Sequence, residues 1–129
     1  MHDAVARSGA PTSDDKSGGT HEEGFASTKG VINVAPKGPA YKPGDKELHI
    51  TVPTTADSSL KVHVHPAGTG NVQVGQPPSS GPGQDLDRVD PSARPNMTNV
   101  VVGAGSGQVY IYNGEGVQAT VPLKEFPKR

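Results

Sequence analysis

Apolar and polar residues alternate along several short stretches of the chain, and glycine, proline, asparagine or aspartate closes each one. Such alternation predicts half-buried strands, because successive side chains of a strand point to opposite faces. Phe25, Ala26 and Ser27, a turn at Thr28, Lys29 and Gly30, and then Val31, Ile32, Asn33 and Val34 predict a hairpin. Leu48, Ile50 and Val52 alternate with His49 and Thr51 and predict a further strand or a strand-like approach to the site. Leu60, Val62 and Val64 predict another, ending at His65 and Pro66. Residues 98–102 and 108–112 predict two strands joined by Gly103, Ala104, Gly105, Ser106 and Gly107, and residues 113–116 turn the chain into a third strand over 117–121. A short helix over residues 2–7 precedes a hydrophilic, loop-forming stretch at 8–20. The pattern predicts a strand-rich α+β domain with little helix over residues 20–129, preceded by a flexible segment at 1–19.

Composition narrows what such a sheet can do. A chain of 129 residues is expected to form one domain, and with 17 Gly, 13 Pro, 3 Tyr, 2 Phe and no Trp its core must be small and built from Val, Ile and Leu. The formal net charge is −1 and no Lys/Arg cluster occurs, so no nucleic-acid partner is expected. The absence of cysteine excludes disulfides, thiolate zinc sites and a cysteine nucleophile. Any metal must therefore bind through histidine and carboxylate. No apolar run is long enough to span a membrane, and no basic-then-apolar signal opens the chain, so no membrane partner and a cytoplasmic location are expected.

The candidate chemistry gathers at the end of the strand that closes on His63, Val64, His65 and Pro66. His63 and His65 share one face of that strand, which makes them a pair of imidazole ligands. A catalytic zinc typically takes three protein ligands and leaves one position to water. The turn-rich segment at 77–87 supplies Asp85 and Asp87 as carboxylates, and Glu22 or Glu23 offers a general base. Two solvent-facing histidines on a half-buried strand are the equally simple alternative. His21, Glu22, Glu23, Gly24 and Phe25 fail as a zincin helix, because Phe25 stands where a second histidine belongs. Gly103, Gly105 and Gly107 follow three valines as a dinucleotide loop would, yet a strand comes next, so they form a hairpin loop. His49 matches no ligand spacing, and His2 lies outside the predicted domain.

Glutamate, then His-x-His-Pro, then Pro-Ser and Asp, in that order, resembles the JAB/MPN (JAMM) metallopeptidase family, and more narrowly the small bacterial JAB-like domains found alone or at the ends of polymorphic toxin and Rhs-type proteins. The resemblance covers roughly residues 20 to 125, by placement of the motifs. It implies a curved, mostly antiparallel sheet with few flanking helices, an architecture shared with cytidine deaminases. It also implies Zn²⁺ on His63, His65 and Asp85, with Asp87 a second possible ligand, and a protein or peptide substrate cut at an amide or isopeptide bond. Glu22 matches the proton-transferring glutamate of a Glu-x-Gly-Gly pattern, with Glu23 the alternative because Phe25 replaces the last glycine. Ser79 or Ser80 would stabilise the oxyanion. Here the chain departs from the family, whose aspartate follows its serine by three residues: Asp85 lies six positions after Ser79 and five after Ser80. If that gap is not an insertion, Pro82 occupies the serine position, and the domain is a non-catalytic interaction module. The toxin association adds export as part of a larger protein as a second possible location. Neither the substrate nor the oligomeric state follows from the sequence.

Overall fold

The computed structural model describes residues 1–45, 48–80, 84–85 and 97–128. They form one helix, α1 (His2–Ser8), six strands, β1 (Glu23–Thr28), β2 (Val31–Val34), β3 (Ser58–His65), β4 (Thr98–Gly103), β5 (Gln108–Asn113) and β6 (Gly116–Pro122), and a closing 3-10 turn, Leu123–Glu125. The strands make one mixed sheet in the order β2-β1-β3-β4-β5-β6. Only the β3 and β4 pairing is parallel; the other four neighbours run antiparallel. The architecture is thus the sheet-dominated α+β fold that the patterning predicts. No helix among the described residues is long and apolar enough to cross a membrane.

Local chemistry sets the hairpins. Lys29 and Gly30 both have positive φ, 52° and 80°, the conformation of a two-residue type I′ turn, whose twist matches that of the strands it joins. The β4 to β5 loop closes with Gly107 N–H donating to Gly103 O at 2.9 Å.

Alternation then sorts the side chains into two layers. Phe25, Val62, Val64, Val100, Val102 and Val109 face one way and form the core, capped by Ala4 and Val5 of α1 and by Leu123 and Phe126. Residues 24, 26, 61, 63, 65, 99, 101 and 112 face the other way. There a smaller apolar group, Ala26, Ala35 and Val52 with Ile50, lays residues 50–52 over the end of the sheet nearest β1.

Two expectations need correction. Of the two readings of residues 48–52, the strand gives way to the approach to the site: Ile50 and Val52 pack onto Ala26 and Ala35 beside the cavity, and among the described residues no strand pairs with them. Alternation reported a one-sided apolar face, and that face lies on the sheet rather than within it. Residues 1–19 also do not stand apart from the domain. Ala4 is buried in the core, His2 Nε2 lies 2.9 Å from Phe126 O, and Gly19 N–H donates to Ser8 O at 2.9 Å.

Candidate metal centre

The register of β1 against β3 brings the site together. Glu23 pairs with Val64 and Gly24 with His63, so Glu22, one residue before β1, falls beside His65 and on the same face. Gly24 is needed at that point, since a Cβ there would lie 2.7 Å from Val62 O and 2.8 Å from Val52 Cγ2. Its missing side chain lets Val52 close over the sheet. Glu23, on the opposite face, is turned away from His63 and His65, so of the two glutamates it is Glu22 that stands with them.

His63 Nε2 and His65 Nε2 approach to 3.2 Å. Asp85 meets both, with Oδ1 3.1 Å from His63 Nε2 and Oδ2 3.1 Å from His65 Nε2. Glu22 Oε2 stands further off, 3.8 Å from His65 Nε2. One ligand atom each from Glu22, His63 and His65 fits within 4.8 Å of the others, close enough for the three to hold a metal ion. The 3.2 Å between His63 Nε2 and His65 Nε2 is also the separation of two donors bonded at ~2 Å to one small divalent ion, and Asp85 brings one carboxylate oxygen to each of them. The donor set therefore fits a metal.

Second contacts fix the imidazole. His65 Nδ1 lies 2.9 Å from Gly75 O and 3.1 Å from Gln76 O. A carbonyl only accepts, so Nδ1 carries a hydrogen, and in neutral His65 the lone pair sits on Nε2, facing His63 and Asp85. The loop bearing those carbonyls is pinned by the Gln76 side chain. Its Nε2 donates to Pro66 O and Val74 O, at 2.9 and 3.0 Å, and its Oε1 accepts from Gly105 N and Ser106 N, at 2.6 and 3.1 Å. Ser79 does the same for Asp85: Ser79 N–H donates to Oδ2 at 3.0 Å, and Asp85 N–H donates to Ser79 Oγ at 3.1 Å.

Charge follows from this crowding. Burial pushes the Glu22 carboxyl above its usual range, against the partial opposition of His63 and His65. Burial pushes Asp85 the same way, but hydrogen bonds from His63 and His65 outweigh it and hold Asp85 far below the carboxylate range. For His65, burial disfavours the cation, yet Asp85 and Glu22 prevail and raise it. Asp85 is thus the firmly ionised partner, and Glu22 the carboxylate with the higher proton affinity.

These groups open into a cavity of about 460 Å³. Its walls come from the 48–52 segment and the loop at 71–77, and Asn99 and Tyr112 belong to its floor. The structure brings Glu22, His63, His65, Ser79 and Asp85 to it; Ser80 is exposed and takes no part in the lining. Asp87 and Pro82 lie outside the described residues. His49, which the sequence leaves unassigned, also lines the cavity. Tyr112 and Gln76 escape sequence reading: alternation with Tyr110 puts Tyr112 on a definite face but not over a site, and nothing local marks Gln76.

No protein-family model, curated protein or solved structure matches the chain.

Proposed function

We propose that the protein is a zinc-dependent hydrolase of the JAB type, cutting a peptide or isopeptide bond. The observation that carries this reading is the convergence of His63 Nε2, His65 Nε2 and Asp85 within 3.1 to 3.2 Å, with Glu22 standing off at 3.8 Å beside an open cavity. His63, His65 and Asp85 would hold the ion, because they are the closest donors and Asp85 is the ionised carboxylate. Zinc supplies a Lewis acid that lowers the pKa of water toward ~7. Glu22 Oε2 accepts the proton of the attacking water and passes it to the leaving amine nitrogen. Its raised proton affinity suits a group that must both take up and release a proton near neutrality. Ser79 orients Asp85 through its two hydrogen bonds.

The same serine supports a second reading, a JAB-fold interaction module with a degenerate site. Ser79 Oγ is tied to Asp85 by the Asp85 N–H it accepts, and Ser80 is exposed, so the two serines are placed to hold Asp85 and to face solvent rather than to reach over the metal position. Zinc content and hydrolysis of a peptide library, compared across the unaltered protein, Glu22→Gln and His63→Ala, test both readings. The enzyme reading expects one zinc per chain, lost in His63→Ala and kept in Glu22→Gln, with turnover in the latter lower by ~10²–10⁴. Zinc without any hydrolysis in the unaltered protein selects the module. Loss of zinc in Glu22→Gln would make Glu22 a ligand and overturn its role as base.

A further inference from the structure

We propose that the Tyr112 hydroxyl is the hydrogen-bond donor that the cavity presents to the carbonyl oxygen of the bound amide. The inference rests on the hydrolase reading and assigns that reaction a residue outside the metal cluster.

Sheet register places the ring. Tyr112 of β5 pairs with Asn99 of β4, which pairs with Lys61 of β3, so the three form a row across the sheet on the His63 face. His63 belongs to the parallel row that continues through Val101 and Tyr110. Tyr112 is only 6% exposed, yet it lines the cavity that holds Glu22, His63, His65 and Asp85. Among the described residues its hydroxyl makes no hydrogen bond, and no fully buried side-chain oxygen or nitrogen there lacks a partner. The ring is therefore packed away while its oxygen reaches the cavity.

Tyr110 is the internal contrast. It sits two residues earlier on the same strand and face, and its hydroxyl is taken by Ser106 Oγ at 3.1 Å. One tyrosine is closed by the protein and the other is left for something else.

Three considerations make a substrate carbonyl the fitting partner. Burial, then the negative charges of Asp85 and Glu22, push the phenol far above its usual range, so at neutral pH it keeps its hydrogen. Those two carboxylates are also the charged groups that act on it, which puts it in the same field as the metal cluster. Finally, Ser79 Oγ accepts from Asp85 N–H, which holds that oxygen beside the Asp85 backbone, and Ser80 is exposed and out of the cavity, whereas Tyr112 is the most deeply buried hydroxyl-bearing residue of the lining. A fixed donor aimed at developing negative charge commonly contributes ~10²–10³ in rate.

The test uses the full chain loaded with zinc and acetohydroxamate as the probe, an anion with the shape of an amide. Tyr112→Phe should bind one zinc as tightly as the unaltered protein but acetohydroxamate ~10-fold more weakly or worse, the loss expected for a hydrogen bond to a charged group. Tyr110→Phe should bind the probe normally. Should Tyr112→Phe not fold, the near-ultraviolet absorbance of tyrosine in the unaltered protein must still shift on probe binding, and must shift equally in Tyr110→Phe. Equal probe affinity in Tyr112→Phe, or no tyrosine shift, overturns the role of Tyr112 while leaving the metal site standing. An unaltered chain that takes up no zinc brings down both.

Discussion

On the helix side of β1, His21 is buried completely, and both its ring nitrogens meet carboxylates: Nδ1 lies 2.5 Å from Asp15 Oδ2 and Nε2 lies 2.7 Å from Glu23 Oε2. Asp15 is in turn bonded by Thr20, and Glu23 by Arg7 of α1. On the cavity side, His63 and His65 turn like atoms toward each other at 3.2 Å and share one aspartate. The two clusters use the same residue types and lie on opposite faces of the sheet. The difference lies in saturation. In the first, every charge has its counterpart within the protein, and the network fastens α1 and residues 15–20 to β1. The second gathers two nitrogen donors around a point where only a proton or a cation can relieve them, next to open space. Histidine and carboxylate in contact are thus weak evidence of function until their partners are counted.

The largest expected effect breaks the saturated cluster. His21→Ala leaves Asp15 and Glu23 buried without the imidazole between them, and should destabilise the metal-free protein by ~3–5 kcal/mol in urea unfolding. His63→Ala under the same conditions should cost far less, because it removes one of two opposed nitrogens beside a cavity. Equal losses would show that both clusters are structural.

Zinc should reverse the order. At free zinc a hundredfold above its dissociation constant, the unaltered protein should gain ~2.7 kcal/mol, and His63→Ala should gain nothing. A gain that persists in His63→Ala would place the ion elsewhere.

A smaller effect is expected from Gln76→Glu, which replaces the amide donor facing Pro66 O and Val74 O with an acceptor. The loop carbonyls that hold His65 Nδ1 should shift, and zinc affinity should fall ~10–100-fold in competition with a chromophoric chelator. Unchanged affinity would mean that the loop needs no such pin.

The smallest effect is on pH dependence. Burial pushes Asp15 up, but hydrogen bonds from Thr20 and His21 outweigh it, so its folded pKa lies below the unfolded value. Its contribution to stability is therefore present above the unfolded pKa of ~4 and is lost as pH falls below it. Asp15→Asn should flatten the acid limb of a stability profile; an unchanged limb would assign that limb to other carboxylates.

Much of the sheet can be read from the chain, because strand alternation is local: the hairpin about Lys29 and Gly30, the last three strands, and the shared face of His63 and His65 all follow from period two. The choice of Glu22 over Glu23 needed the register of β1 on β3, which no local pattern contains. Residues 48–52 show the limit from the other side, since alternation records a one-sided apolar surface whether or not a strand lies beside it. The docking of α1 rests on small residues, Ala4 and Ser8, and on Arg7 reaching Glu23, none of which advertises burial. The six-residue separation of Ser79 and Asp85 looked like a defect in a motif. In the structure the two residues clasp each other directly.

The parallel pairing of β3 with β4 obliges the chain to leave the sheet at His65 and re-enter it at Thr98. The third candidate ligand consequently rides on a connection rather than on a strand. Asp85 is located by its clasp with Ser79 and by the two imidazoles, not by the number of residues on either side. Sequence inserted into this connection outside the clasp should leave the sheet and the candidate metal cluster unaltered while reshaping the cavity wall. The molecule thus has an anvil made by the sheet and a jaw carried on the connection, and a change of length in the jaw need not reforge the anvil.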